Sequence, residues 1–239
     1  LSGMTLAAVI FGITLSMLHQ SGLGALFLMA KEKIHPLWYS EFIPILFLVS
    51  SIFAGLSMVI FEGSISQRVF SEQISDKHRE EHHSIMHGLS KICTGAMFAY
   101  FFLQLLVLVH GKHWDLLNTP MGRWYLLEMI GFVLVPMVLY FYSYRANNVF
   151  LIRLAAILTM VGVILNRLNV TVIGFKWDMA VHYVPSWMEI VVTLTVLFTE
   201  IWIFRWVINR LPVLRESPKW VNEDKLTDKP ALAKKIQRA

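Results

Sequence analysis

Six runs of about twenty apolar residues, separated by short polar stretches, set the pattern of this chain. Residues 4–30, 42–63, 87–110, 125–145, 149–170 and 187–209 each read as a helix. A bilayer core of roughly 30 Å takes about 20 residues to cross at 1.5 Å per residue. In hydrocarbon the backbone has to satisfy its own hydrogen bonds, which leaves helices and closed barrels as the spanning structures. The alternating ten-residue segments of a barrel are missing from the pattern. The expectation is an all-α fold, a polytopic membrane helix bundle of about six transmembrane helices, over residues 1–214. Residues 215–239 lose the apolar pattern and read as a polar tail.

Composition agrees and excludes a soluble domain. The 239 residues are 56% hydrophobic and 15% charged, against roughly 45–50% and about 25% in soluble proteins. The net charge of +5 does not point to nucleic acid. Much of it lies between Arg205 and Arg238, beside the last apolar run, where orientation signals and contacts with the lipid bilayer belong. Cys93 is the single cysteine, so the chain holds no disulfide, CxxCH haem attachment or cysteine-ligated cluster of its own. The chain opens at Leu1 rather than Met and is apolar by Met4, which suggests a preceding segment or a second membrane polypeptide.

Charge in the loops predicts orientation. Loops 64–86 and 146–148, with the start of the tail, carry Arg68, Lys77, Arg79, Arg145, Arg210, Arg215 and Lys219. The other side carries Lys31, Lys33, Lys112, Arg123 and Lys176. The positive-inside rule places the first set, and the C-terminus, in the cytoplasm. Trp38, Trp114, Trp124, Trp177 and Trp187 then fall at the periplasmic ends as an interfacial belt.

Polar residues inside membrane helices are costly and mark sites or pathways. Ser16 and His19 share a face of the first helix, and His19-Gln20-Ser21 offers donors and acceptors to a polar ligand head. A histidine bonded to a neighbouring helix is the plain alternative. Glu128, Asn166, Arg167, Asn169 and Glu189 gather at one depth; an Arg167–Glu ion pair locking the bundle accounts for them equally well. Glu189, Thr193 and Glu200 form a stripe, since eleven residues return to within about 20° of one face. Ser51 and Glu62 lie on a second stripe. Together they outline a proton path, unless Glu62 only snorkels to the interface.

Histidines raise metal and haem. His78/His82 and His83/His87 have the i, i+4 spacing of zinc ligands, but no thiolate or fourth ligand accompanies them, and a solvated polar loop is the simpler reading. Bis-histidine haem needs partners at matched depths on facing helices. His19 is well inside a helix, whereas His87 and His110 lie towards opposite ends and His182 in a loop. Neither metal nor haem is expected.

Several motifs resemble one family. Met17-Leu18-His19-Gln20-Ser21-Gly22-Leu23-Gly24, His35-Pro36-Leu37-Trp38, Ser57-Met58-Val59-Ile60-Phe61-Glu62-Gly63-Ser64, Arg167-Leu168-Asn169 and Pro185-Ser186-Trp187-Met188-Glu189 look like the HybB-type membrane subunits of nickel–iron hydrogenases, within the NrfD/polysulfide reductase (PsrC) family. The match runs in order over about residues 1–215, as the C-terminal portion of such a subunit. The resemblance implies a haem-free, quinone-reactive anchor in the bacterial inner membrane. Electrons would pass between a periplasmic ferredoxin-like iron–sulfur subunit and menaquinone (or ubiquinone), with hydrogenase or other catalytic subunits beyond and the iron–sulfur clusters only in those partners. Family members have about four further helices upstream, which form much of the quinone pocket. On this reading His19, Gln20 and Ser16 are quinone-near, and Glu62, Ser51, Thr193 and Glu200 carry protons. A b-type cytochrome and a purely structural anchor are the competing functions. A transporter would show paired interrupted helices, which the pattern lacks.

Overall fold

The computed structural model describes residues 2–69, 76–175, 177–178 and 185–210, leaving aside the side chains of 2–5, 69, 76–81, 208 and 209. Its helices are α1 (Ser2–Leu28), α2 (Ile43–Val69), α3 (Asp76–Gly111), α4 (Pro120–Met129), α5 (Val135–Ala146), α6 (Val149–Leu168) and α7 (Trp187–Arg210). A π turn, Ile130–Leu134, joins α4 to α5, and a second, Asn169–Ile173, prolongs α6. Six helical spans among the described residues are long and apolar enough to cross a membrane. The protein is an all-α, multi-pass membrane protein.

The chain divides into two units, one holding α1–α6 and the other α7. In the first, successive spans alternate in direction. The segments 29–42 and 112–119 therefore lie at one end, called here the first end. Arg68, His82 and the turn 146–148 lie at the second end.

Lipid gives little hydrophobic drive between helices, so small residues and polar contacts decide their packing. Gly24 of α1 lets α2 approach so closely that a Cβ there would stand 2.9 Å from the Pro44 Cα. Ala155, Ala156 and Thr159 of α6 and Ser57 of α2 are fully buried, and Ser57 hydrogen-bonds the Tyr140 hydroxyl at 2.9 Å. Gly63 of α2 seats the His82 ring of α3.

Two helix starts differ from the pattern-based expectation. The stretch 64–86 is largely helical, because α2 runs to Val69 and α3 begins at Asp76. It contains no Gly or Pro, and helices that project beyond the hydrocarbon keep their backbone bonded while water solvates the charges. The fourth span begins at Pro120 because Thr119 caps it, accepting from the Gly122 N–H at 3.1 Å, with Pro at the first position. Within that span Pro136 has no N–H to donate, and the π turn ahead of it absorbs the break. The polar tail 215–239 lies outside the described residues.

Taken by itself, α7 opens with the Ser186 hydroxyl accepting from the Glu189 N–H at 3.4 Å. Its threonines turn inward on their own helix, Thr193 bonding the Glu189 carbonyl at 2.9 Å.

Candidate functional site

Glu128 lies in the last turn of α4, just ahead of a π turn, and is 4% exposed. Three N–H groups converge on its carboxyl. Asn166 Nδ2 donates to Oε1 at 2.6 Å, Asn169 Nδ2 to Oε2 at 2.6 Å, and Trp38 Nε1 to Oε2 at 2.8 Å. Donors alone around a carboxyl are the arrangement of an ionised, acceptor-only group.

The countercharge is one residue away from Asn166. Arg167 Nη1 donates to Asn166 Oδ1 at 3.1 Å and Nη2 to Ser50 Oγ at 2.7 Å, while its guanidinium lies 3.5 Å over the Phe47 ring. The Asn166 amide therefore faces the anion with its nitrogen and the cation with its oxygen. Among the described residues Arg167 makes no direct ion pair with Glu128; the amide spans the gap. Charges compensated in this way avoid the heavy penalty of an isolated ion in a low-dielectric interior.

The network extends sideways. Trp124 Nε1 donates to Asn169 Oδ1 at 3.0 Å. Tyr125 donates to Gln104 Oε1 at 3.2 Å, and Gln104 Nε2 donates to the Tyr100 hydroxyl at 3.0 Å. Ser50, Tyr100, Glu128 and Asn166 line a cavity with about 10 Å³ of room, about enough for one water centre. Having accepted from Gln104, the Tyr100 hydroxyl still has its own proton to direct into that cavity.

Above the network, towards the first end, residues 34–38 are clamped to the end of the fifth span. His35 N–H donates to the Gly174 carbonyl at 2.8 Å, and Ile34 bridges to Phe175. The His35 ring stands edge-on to Trp38 and Trp177, at 5.4 and 4.8 Å between centroids, and its Nδ1 accepts from the Leu37 N–H. Burial, and then the neighbouring His113, hold the His35 pKa below its ordinary value. The clamp fixes Trp38, whose indole reaches Glu128.

Of the residues singled out by sequence, Glu128, Asn166, Arg167 and Asn169 meet here. Ser16 and His19 are exposed on α1 and Gln20 is half-buried; no hydrogen bond among the described residues links them to the network. Ser51 is half-buried and spends its hydroxyl on the Leu48 carbonyl at 2.6 Å. Glu62 is exposed near the second end. Glu189, Thr193 and Glu200 belong to α7, in the other unit.

Trp38, Trp124, Ser50, Tyr100, Gln104 and Tyr125 were not foreseen as part of the site. Trp38 and Trp124 read as interfacial anchors, yet each spends its N–H on the network. Their partners are 90 and 45 residues away, a separation that local pattern does not report.

Haem can be weighed against the histidines present. At 1.5 Å per residue His19 lies roughly 13 Å from the first end of its span, whereas His87 lies about 8 Å from the second end of its own. His82, His83 and His87 share one helix. The described residues thus do not set two imidazoles on facing helices at one depth. They contain no group of three or more His, Cys, Asp or Glu suited to a metal ion.

Comparison with known proteins adds the lineage. The family model "Polysulphide reductase, NrfD" matches residues 3–177. A protein of Nitratidesulfovibrio vulgaris (strain Hildenborough) is 40% identical over 219 residues, 91% of this chain and 56% of that one. The "Probable Ni/Fe-hydrogenase 2 b-type cytochrome subunit" of Escherichia coli (strain K12) is 26% identical over 210 residues, 86% of this chain and 52% of that one. The chain thus spans about half the length of these relatives. No solved structure matches it.

Proposed function

Given that the chain belongs to the polysulphide reductase NrfD family, we propose that it is the quinone-reactive membrane subunit of a respiratory, hydrogenase-like oxidoreductase complex. Its place is the bacterial inner membrane, with the first end periplasmic and the C-terminus cytoplasmic. A periplasmic ferredoxin-like iron–sulfur subunit exchanges electrons with menaquinone at this subunit, and a hydrogenase or another catalytic subunit lies beyond. The observation that carries the reading is the Glu128–Asn166–Arg167 network. Two opposite charges linked through an asparagine amide, with a second asparagine and two indoles around them inside a membrane bundle, are costly to maintain and mark a site or pathway.

Quinone reduction takes two electrons and two protons, and the chain's own residues serve only the ring and the protons. His19 and Gln20 have the donors to meet quinone oxygens, with Ser16 one turn deeper. Ser16 and His19 look outward from α1, where facing lipid would be unfavourable. Further membrane helices, from a second polypeptide or an N-terminal segment, close the pocket around them. The proton-carrying groups of this reading are Ser51 and Glu62 in the α1–α6 unit and, on α7, Thr193 and Glu200 with Glu189. On this reading the chain binds no haem, although one relative is named a b-type cytochrome subunit.

The test uses the purified complex and a menaquinone analogue. His19→Ala should slow quinone reduction about tenfold or more, since stranding a buried polar partner costs roughly 1–3 kcal/mol. Reduction of the iron–sulfur subunit should be unchanged. Wild-type quinone turnover would leave a structural anchor as the better account, and an α-band lost with His19 would establish a cytochrome.

A further inference from the structure

A second polar cluster lies at the second end, away from Glu128. His83, Ser84 and His87 of α3 face Tyr144, Arg145 and Asn147 across an open pocket of about 690 Å³. It sits where three spans begin or end: His82 opens one, Ala146 closes the next and Val149 opens the third. That is headgroup depth in a bilayer with a hydrocarbon core of roughly 30 Å.

Among the described residues the pocket is lined by donors and by no acid. Lys91 stands over the Tyr144 ring at 5.9 Å, and His82 lies beside His83 and Arg153. Of the residues lining the pocket, His87 has a buried Nδ1 without a hydrogen-bond partner, and such groups are rare in finished interiors. Among the described side chains of this end, Glu62 is exposed and bonds none of them. The turn adds to the field through Asn148, which caps α6, whose N-terminus carries the positive end of the helix dipole.

We propose that this pocket binds the phosphate of an anionic phospholipid. The guanidinium of Arg145 supplies a fork for phosphate oxygens, with Ser84, Asn147 and the imidazoles as further donors. Basic pockets between membrane helices at the cytoplasmic surface are suited to such headgroups. Two features favour a lipid over a free anion. The volume exceeds what inorganic phosphate needs. Ile85, Phe141, Tyr142 and Phe150, each within three residues of a lining residue in sequence, are 53–70% exposed, an apolar surface for acyl chains to lie against.

Native mass spectrometry of the purified complex in detergent, after exchange into equal phosphatidylglycerol and phosphatidylcholine, tests it. The wild type should retain phosphatidylglycerol over phosphatidylcholine by about tenfold, as one or two charge-assisted phosphate contacts would give. His87→Gln/Arg145→Gln should bring the ratio near one. Arg145→Lys should keep most of it, and Arg123→Gln, at the first end, all of it. If the double variant fails to assemble, His83→Gln alone should lower the ratio about threefold. Excess inorganic phosphate should leave the lipid bound. An unchanged ratio in the assembled variants, or displacement of the lipid by phosphate, would overturn the assignment.

Discussion

Replacing Asn166 by leucine, similar in volume and incapable of hydrogen bonding, tests the network directly. The change removes two bonds: the 2.6 Å donation to Glu128 and the 3.1 Å acceptance from Arg167. Glu128 keeps Trp38 and Asn169; Arg167 keeps Ser50 and the Phe47 ring. Hydrogen bonds to charged groups contribute about 1.5–3 kcal/mol each in water-soluble proteins. In membranes measured values average about 0.6 and reach about 1.7 kcal/mol, because the unfolded chain also finds partners. With both charges desolvated, two bonds near the upper membrane value come to about 3 kcal/mol. Trp124→Phe removes one neutral bond to Asn169 and should cost about 0.5–1 kcal/mol. Unfolding of the purified protein in mixed micelles, followed by far-UV circular dichroism against denaturing detergent, gives both numbers. The reasoning is refuted if Asn166→Leu costs less than Trp124→Phe.

Three further outcomes are expected. His35 has a lowered pKa, so the folded protein keeps it neutral while the unfolded chain takes up a proton below 6.5; stability should be complete above that value and fall as pH drops through it, and His35→Asn, which retains an acceptor, should flatten the slope in a melt series. Gly24→Leu pushes its Cβ onto Pro44, Ile43 and Phe47 and should cost about 1–3 kcal/mol, whereas Gly22→Leu, with nothing within 4 Å, should be nearly neutral in the same detergent titration. In sealed vesicles Glu200→Gln should lower the proton or voltage signal per electron more than it lowers the uncoupled rate; an unchanged signal removes Glu200 from the proposed path.

The spans were legible because the bilayer imposes a length and a polarity that a single sequence displays. So were Glu128, Asn166, Arg167 and Asn169, since polar residues are conspicuous in apolar runs. Their number and depth did not reveal how they connect. The simplest pairing of Arg167 with a glutamate is replaced by an amide between them, because Arg167 turns towards Ser50 and Phe47 on α2. Trp38 was legible as an interfacial residue but not as a donor, since its reach to Glu128 depends on the 34–38 clamp. The stretch 64–86 read as a loop because polarity was taken for irregular backbone, where a helix leaving the membrane has the same composition.

The two π turns explain why the network forms at this level. A regular α-helix would continue Asn166 and Asn169 past the first end with the Asn169 carbonyl bonded four residues on. Instead the Gly174 N–H reaches back five residues to that carbonyl, at 2.6 Å. The widened turn leaves Asn169 fully buried, its amide between Glu128 and Trp124. On the fourth span the π turn follows Glu128 by two residues and brings Phe132 against Gly162, where a Cβ would stand 2.8 Å from the Phe132 carbonyl oxygen. Irregular turns of this type are found mostly where function needs them. Here each adjoins one side of the Glu128 carboxyl, and the one-water cavity opens beside it. One π turn thus holds the donor Asn169 and the other follows the acceptor Glu128 on the facing span, while Tyr100, across the cavity, has a hydroxyl proton free to turn. A fixed acceptor, a rotating donor and room for one water between them are the local elements from which a proton relay can be built.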